Sequence, residues 1–186
     1  MDKRKLILDA ALRLLVEYGF HGTPTSKIAQ EAGVANGTLF HYFPTKDDLV
    51  MALYVDIKIR LNSAIAANAK PGPSLKETMK GTFLASIYWA LENKDEFRFI
   101  QQFQTSPFCS SLDPVEAQQQ LKPHLDLLAK GIKEKIIKPL PVDLLFTLIT
   151  SHTYALIQYL ATRDITKANQ HQFINDSFEL LWDMVT

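Results

Sequence analysis

A dense group of hydrogen-bonding and aromatic side chains occupies one short stretch of the sequence. Amide, hydroxyl, imidazole and aromatic groups can contact base edges, thymine methyl groups and phosphate oxygens. The side chains are those of Asn36, Thr38, Phe40, His41 and Tyr42, and Gly37 between them is a candidate contact through its backbone. Thr25 and Ser26 upstream add two hydroxyls, and Lys46 downstream adds a cation, all of which could bind phosphate. This stretch is therefore the first candidate binding site, with nucleic acid as its ligand.

The surrounding sequence predicts three helices that would position these side chains. Apolar residues recur at intervals of three and four from Lys3 to Tyr18, which is typical of an amphipathic helix. Thr23 is expected to cap a short second helix, with Pro24 at its first position and Gly33 at its end. A third helix should run from about Ala35 to Tyr42. Two short helices joined by a turn make a helix-turn-helix, whose second helix lies in the major groove of DNA.

The rest of the chain predicts further helices separated by breaks. Thr45 should cap a fourth helix from Lys46 to about Ala69, with Asp48 as its capping-box partner, and Pro71-Gly72-Pro73 should end it. Ser74 is expected to cap the next helix. Apolar periodicity then covers 75–91, 97–103, 121–137, 142–161 and 167–185, and 105–114 is expected to be irregular. Because no segment shows strand alternation, we expect an all-α fold of about nine helices.

The composition gives no electrostatic support for nucleic-acid binding. The 186 residues carry 20 Lys and Arg against 20 Asp and Glu, a net charge of +0. The case therefore depends on motif geometry rather than on charge. The single cysteine, Cys109, cannot form an intrachain disulfide, which fits a reducing cytoplasm. We find neither a signal peptide nor a run of about 20 apolar residues, and expect a soluble cytoplasmic protein without a membrane segment.

The sequence carries no recognised catalytic or metal-binding pattern. It has no phosphate-binding glycine loop, no zincin helix and no nucleophile elbow, and Cys109 has no histidine near it in sequence. Its 5 histidines do not combine with cysteine or carboxylates at metal-ligand spacing. We therefore expect no enzymatic activity, no metal and no cofactor.

The helix-turn-helix segment carries a longer pattern than geometry alone requires. The pattern is Gly19-Phe20, Thr23, Ile28-Ala29-Gln30-Glu31-Ala32-Gly33-Val34, Gly37-Thr38-Leu39-Phe40-His41-Tyr42-Phe43, Lys46 and Leu49. From Leu6 to Leu49 it resembles the N-terminal signature of the TetR family of transcriptional regulators. Three positions depart from the usual pattern. Ala35 stands where a serine often caps the recognition helix, so the helix lacks this cap unless Asn36 supplies it. Phe40 replaces a common tyrosine. Pro24 replaces a frequent threonine or serine.

The resemblance implies an architecture and a function. It implies an N-terminal three-helix DNA-binding domain over 1–46, followed by a helical ligand-binding and dimerisation domain over 47–186. The expected function is sequence-specific regulation of transcription, as a repressor that a small, mostly apolar ligand releases from a palindromic operator. We expect a homodimer through the last two helices, whose apolar faces would otherwise be exposed. Those faces comprise Leu144, Leu148 and Ala155, and Phe173, Ile174, Phe178, Leu181 and Val185.

The location of a ligand pocket is less defined by the sequence. The candidates are Phe83, Ile87, Phe103, Phe108, His124 and His152. Aromatic residues at helical spacing equally suit a filled core, and isolated histidines equally suit structural roles. An effector-independent DNA-binding factor, structural or related to cell division, is therefore the alternative function, with a helical enzyme a distant third. An empty apolar cavity of several hundred cubic ångströms would argue against the effector-independent factor.

Overall fold

The computed structural model describes residues 2–69, 72–111 and 114–186, and within these ranges helices are joined by turns and loops, without a strand. The α-helices are α1 (Lys3–Tyr18), α2 (Thr25–Glu31), α3 (Asn36–Tyr42), α4 (Lys46–Asn68), α5 (Leu75–Glu92), α6 (Lys94–Gln104), α7 (Pro114–Lys133), α8 (Val142–Ala161) and α9 (Lys167–Val185). A 3₁₀ helix covers Pro107–Ser111. The predicted all-α fold is confirmed, and so are the bounds of α1, α8 and α9.

The prediction is wrong between α6 and α7. The stretch expected to be irregular contains the 3₁₀ helix, and α7 begins at Pro114 instead of near residue 121. Proline suits the first position of a helix, because the N–H that it lacks would have no partner there. Pro123 lies inside α7, so this proline does not end the helix.

The chain forms two compact units. Unit 1 comprises Met1–Asn62 and Asn93–Leu112, and unit 2 comprises Ser63–Glu92 and Asp113–Thr186. These units do not coincide with the predicted division after residue 46. The reason is that α6, distant in sequence, packs on α1, where the Gln102 side chain donates a hydrogen bond to the Val16 carbonyl (3.3 Å).

The core of unit 1 joins α1, α2, α3, α6 and the start of α4. Its fully buried side chains include Ile7, Leu15, Ile28, Leu39, Leu49, Leu53, Phe99 and Phe103. Ring contacts tie the 3₁₀ helix and the end of α1 to this core, because Phe20 lies 5.8 Å from Phe99 and 5.1 Å from Phe108 between ring centroids. Burial of this many large apolar groups provides the main stabilisation of the unit.

Unit 2 is built from α5, α7, α8 and α9, with the last turns of α4. Here α8 packs against α5, α7 and α9, and α5 also packs against α9. The C-terminal end of α9 is held by Lys138, whose backbone N–H donates to the Val185 carbonyl (2.8 Å) and whose ammonium donates to the Met184 carbonyl (2.9 Å). A cation at the C-terminus of a helix is also favoured by the helix dipole.

The helix α8 is long and apolar. Of the helices in the described ranges, it is the one that is long and apolar enough, by length and composition alone, to cross a membrane. Polar residues such as Asp143, His152 and Gln158 interrupt it, so it is not a run of about 20 apolar residues. Its apolar residues are divided between two faces in unit 2, because Leu145 and Ile157 are buried whereas Leu144 and Leu148 are exposed.

Candidate nucleic-acid interface

The position of α2 depends on a buried threonine. The Thr23 hydroxyl donates to the carbonyls of Gly19 (2.8 Å) and Leu14 (3.0 Å), and the residue is fully buried. The prediction that Thr23 caps α2 is therefore wrong. The helix begins at Thr25 after Pro24, without a side-chain cap. The physical reason is that the Thr23 hydroxyl is already used at the C-terminal end of α1, where it bonds to the carbonyls of Leu14 and Gly19.

A glycine turn joins α2 to α3. Gly33 has φ +66°, a left-handed conformation that residues with a Cβ adopt only at a cost. The Gly33 N–H donates to the Gln30 carbonyl (3.1 Å), and the Val34 N–H donates to the Ala29 carbonyl (3.0 Å). Ala29 is buried. The predicted helix-turn-helix is therefore present, with its turn at the predicted residue.

The helix α3 has one buried side and one open side. Leu39 and Phe43 are 0% and 3% exposed and anchor the helix in unit 1. On the open side, Asn36, Gly37 and His41 are exposed, and the aromatic rings of Phe40 and Tyr42 are each 40% exposed. Thr38 is half-buried. Five of the six predicted α3 residues thus lie on the side open to a ligand.

The start of α3 lacks a side-chain cap. Ala35 occupies the cap position, and Asn36 does not replace the missing serine cap, because no side-chain hydrogen bond closes the first turn. Gly37 is also open, since a Cβ built on it would meet nothing within 4 Å. A glycine inside a helix costs about 1 kcal/mol relative to alanine, and packing within the chain does not explain this one.

The start of α4 is well capped. The Thr45 hydroxyl accepts from the Asp48 N–H (3.0 Å), and the Asp48 carboxylate accepts from the Thr45 N–H (3.0 Å). The predicted capping box is confirmed. The Lys46 ammonium donates to the Phe20 carbonyl, and partial burial lowers the pKa of Lys46, against the opposing effect of Asp47. Lys46, which the sequence predicts to bind phosphate, therefore already links α4 to the segment after α1.

Two further cations lie close to the helix-turn-helix and were missed from the sequence. The Lys27 ammonium lies 3.4 Å from the ring centroid of Tyr18, and the Arg4 guanidinium lies 5.7 Å from that of Phe43. Neither residue is buried. The sequence gives little indication of these two contacts, because the cation and the aromatic ring are distant in the chain and are brought together only by folding. Thr25 is half-buried and Ser26 exposed in the first turn of α2.

The six predicted pocket residues are distributed over both units. In unit 1, Phe103 stacks on Tyr54 with ring centroids 4.0 Å apart, and Phe108 packs on Phe20. In unit 2, Phe83 and Ile87 are buried in the core. Their assignment to a pocket stays a prediction.

The two predicted histidines have partners within unit 2. His152 lies 2.8 Å from the Ser177 hydroxyl, and the ring of His124 lies 6.2 Å from that of Phe146. Unit 2 also contains a cleft of about 300 Å³ between the last turns of α4 and the second half of α5. Its lining, which includes none of the six predicted residues, is Ala64, Asn68, Gly81, Leu84, Ala85, Tyr88, Trp89 and Glu92.

Comparisons with known proteins agree on the character of the N-terminal segment. Residues 7–53 match the model of bacterial regulatory proteins of the tetR family. Over 167 residues the chain is 28% identical to the HTH-type transcriptional repressor KstR2 of Mycobacterium tuberculosis, covering 85% of this chain and 81% of that protein.

Similarity to solved structures extends over the whole chain. A putative tetR family transcription regulator from Shewanella sp. PV-4 is 31% identical, with a TM-score of 0.92 over 100% of this chain and 98% of that one. A TetR family transcription regulator from Marinobacter aquaeolei VT8 is 26% identical, with a TM-score of 0.85 over 98% and 95% of the two chains. Helix-turn-helix geometry, the N-terminal match and full-length similarity lead to one conclusion: the chain belongs to the TetR family of bacterial regulatory proteins.

Proposed function

We propose that this protein is a sequence-specific DNA-binding transcriptional regulator that acts as a repressor. The observation that carries the proposal is the open side of α3, where amide, imidazole and aromatic groups are exposed on a helix that Leu39 and Phe43 anchor by burial. We expect repression rather than activation of transcription, because the similar protein KstR2 is named a repressor. The relatives that match are regulators rather than enzymes, and the proposal includes no catalytic step.

The roles of the individual groups follow from their chemistry. Asn36 and His41 would hydrogen-bond to base edges, and Phe40 would contact thymine methyl groups in the major groove. The hydroxyls of Thr25, Ser26, Thr38 and Tyr42, together with Lys46, would hold phosphates and fix the register of α3. Gly37 would allow the backbone to approach the DNA closely.

Dimerisation would place two α3 helices on one palindromic operator. Unit 2 exposes an apolar stripe on α8 and α9, which we name the α8–α9 stripe. Its members are Leu144, Leu148, Ala155, Tyr159, Phe173, Leu180 and Met184. A patch of this kind is typical of a protein interface. We propose that two copies pair through it with two-fold symmetry, so that their α3 helices meet half-sites about 34 to 36 Å apart.

The residues of this interface differ from those expected on α9. Ile174, Phe178, Leu181 and Val185 are at most 1% exposed, so they form the core of unit 2 and not its outer face. Phe173 is the member of the predicted α9 set that lies outside. Leu180 was not predicted, although at 67% it is the most exposed large apolar residue among those whose burial is described. Apolar residues occupy both sides of α9, and periodicity alone does not distinguish them.

Ligand release completes the proposed cycle. Members of this family are commonly released from DNA by a small molecule, and we propose the same for this protein, with a small, mostly apolar effector and action in the cytoplasm. A ligand that binds better to the form that cannot bind DNA shifts the population toward that form. The predicted pocket residues Phe83, Ile87, Phe103, Phe108, His124 and His152 remain candidates for this effector.

Selection of bound fragments from bacterial genomic DNA tests the proposal. We expect the bound fragments to share a palindrome, and the preference for it to persist when the salt concentration is raised, because base contacts are less salt-dependent than phosphate contacts. Binding without any shared sequence, and with a steep salt dependence, would contradict a specific regulator.

A further inference from the structure

An exposed arginine from the start of α1 lies beside the end of α3. Arg4 is in the first turn of α1 and is exposed, and its guanidinium lies 5.7 Å from the ring centroid of Phe43. Phe43 directly follows Tyr42, the last residue of α3, and is 3% exposed. The buried ring therefore holds the guanidinium next to the C-terminal end of α3.

The backbone of Arg4 is held in place as well. The Asp2 carboxylate caps α1 by accepting a hydrogen bond from the Arg4 N–H (2.9 Å). Ile7 and Leu8, which follow in the same helix, are buried in unit 1. The cap and the buried residues tie the start of α1 to the unit that contains the helix-turn-helix, so the Arg4 side chain reaches α3 from a fixed origin.

The contact with Phe43 leaves the positive charge of Arg4 available. A cation beside an aromatic ring is attracted by the quadrupole of the ring, but the ring carries no charge that would neutralise it. The next residue differs in this respect, because the Lys5 ammonium forms an ion pair with the Asp9 carboxylate (2.7 Å). Of these two adjacent cations, Arg4 is therefore the one that is positioned by a neutral partner.

The end of α3 is a place where the DNA backbone comes close. The 7 residues of α3 give it a length of about 10 Å, and the major groove is about 12 Å wide. When a helix of this length lies in the groove, groups beside its ends are brought close to the phosphates at the groove edge. Phosphate contacts of this kind fix the register and orientation of the recognition helix.

From these contacts we infer that Arg4 binds a DNA phosphate at the edge of the major groove that α3 enters. The inference rests on the proposed DNA-binding function and adds to it a residue outside the helix-turn-helix. Arginine suits this role, because its planar guanidinium can donate two parallel hydrogen bonds to phosphate oxygens. Phe43 acts as the positioning residue, since its ring attracts the guanidinium without neutralising it.

Two other roles of Arg4 predict different behaviour. If Arg4 only covered the Phe43 ring, loss of the guanidinium would lower the free energy of unfolding and leave the salt dependence of DNA binding unchanged. If DNA were attracted only by the general positive charge of this region, the identity of the cation would not matter, and removal of Lys5 would have the same effect as removal of Arg4.

The salt dependence of DNA binding separates these roles. We expect Arg4→Met to reduce the slope of log K against log salt by about 1 for each bound protomer, because one phosphate contact is lost. At about 0.1 M salt this corresponds to a loss of affinity of about five- to tenfold per protomer. Lys5→Met removes the same charge one residue further on and should keep the slope. Arg4→Lys keeps the charge and should also keep it. Urea unfolding of each variant measures any structural contribution.

Neutral methylphosphonate groups, placed one at a time in the DNA backbone, locate the phosphate. At one position beside the half-site, we expect the unchanged protein to lose affinity by about five- to tenfold and Arg4→Met to lose nothing further, because the effects of two groups in contact are not additive. Equal losses for both proteins at every position, an unchanged slope in Arg4→Met, or an equal reduction of the slope in Lys5→Met would each overturn the inference.

The proposed function and this inference can fail separately. A phosphate contact does not depend on base sequence, so the slope is measured both on the selected operator and on a duplex of unrelated sequence. A shared operator together with an unchanged slope in Arg4→Met would support the regulator and overturn the role of Arg4. A reduced slope on every duplex, without preference for any sequence, would support the Arg4 contact and contradict a sequence-specific regulator.

Discussion

At the residue scale, the important side chains of the helix-turn-helix have separate structural and recognition roles. Leu39 and Phe43 are buried and hold α3, whereas Asn36, Phe40 and His41 remain on its open side. The sequence allowed this division to be predicted, because the buried residues follow helical spacing. It did not allow the roles of Thr23 and Lys46 to be predicted. Thr23, between α1 and α2, and Lys46, in α4, each donate a hydrogen bond to a carbonyl group in or just after α1, and such partners are fixed only by folding.

Gly37 provides a test in which stability and function should move in opposite directions. Because a Cβ at Gly37 meets nothing within 4 Å, we expect Gly37→Ala to raise the free energy of unfolding by about 0.5 to 1 kcal/mol through helix propensity. The added methyl group should nevertheless weaken operator binding. Urea unfolding and fluorescence anisotropy measure the two effects. A variant that is more stable and binds the operator normally would exclude close backbone approach at this position.

Lys46 can be tested for a phosphate contact by the salt dependence of binding. We expect Lys46→Met to weaken operator binding and to reduce the slope of log K against log salt by about 1, because one phosphate contact is lost. Lys94→Met, at the start of α6, is the matched control. Weaker binding with an unchanged slope would mean that Lys46 acts only through the Phe20 carbonyl.

Lys58 gives a pH-dependent prediction. It lies half-buried on α4, and burial lowers its pKa below 10.5. The unfolded chain therefore binds more protons than the folded chain between the lowered pKa and 10.5, and stability from this group rises with pH in that window. We expect Lys58→Met to stabilise the protein near neutral pH and to remove this rise. Urea unfolding over a pH series measures both, and a parallel pH dependence in the variant would contradict the prediction.

At the element scale, helical periodicity located most helices but not the use of their faces. The bounds of α8 and α9 were predicted as observed. Both helices, however, are apolar on two sides. Phe178 is buried and Leu180 is exposed only two residues further on, and the sequence alone does not show which side faces the core. That distinction requires the packing of α9 on α5.

The α8–α9 stripe predicts a specific effect on association. We expect Leu180→Glu to convert the dimer to a monomer while the chain stays folded, because the side chain is 67% exposed in unit 2 and its charge would be buried in the pair. Ile136→Glu changes an exposed apolar residue (39%) outside α8 and α9 and should leave the dimer intact. Sedimentation velocity measures both. A dimeric Leu180→Glu protein, or a monomeric unchanged chain, would rule out this interface.

At the scale of the whole molecule, neither net charge nor composition predicts the function. A net charge of +0 gives no general attraction to DNA, so binding must depend on a few well-placed groups. The division into two units was also not predictable from the sequence. Residues 93–112 join the N-terminal unit because α6 packs on α1, a contact between segments that are far apart in the chain.

The central claim is that the open side of α3 reads a palindromic operator, and anisotropy titration of the selected operator against α3 variants tests it most directly. We expect Asn36→Ala and His41→Ala each to cost about 1 to 3 kcal/mol of discrimination between the operator and a single-base variant. His21→Ala removes an exposed histidine outside the helix-turn-helix and should change nothing. If Asn36→Ala, His41→Ala and Phe40→Ala all keep the affinity and the discrimination of the unchanged protein, α3 does not read the operator and the account is wrong.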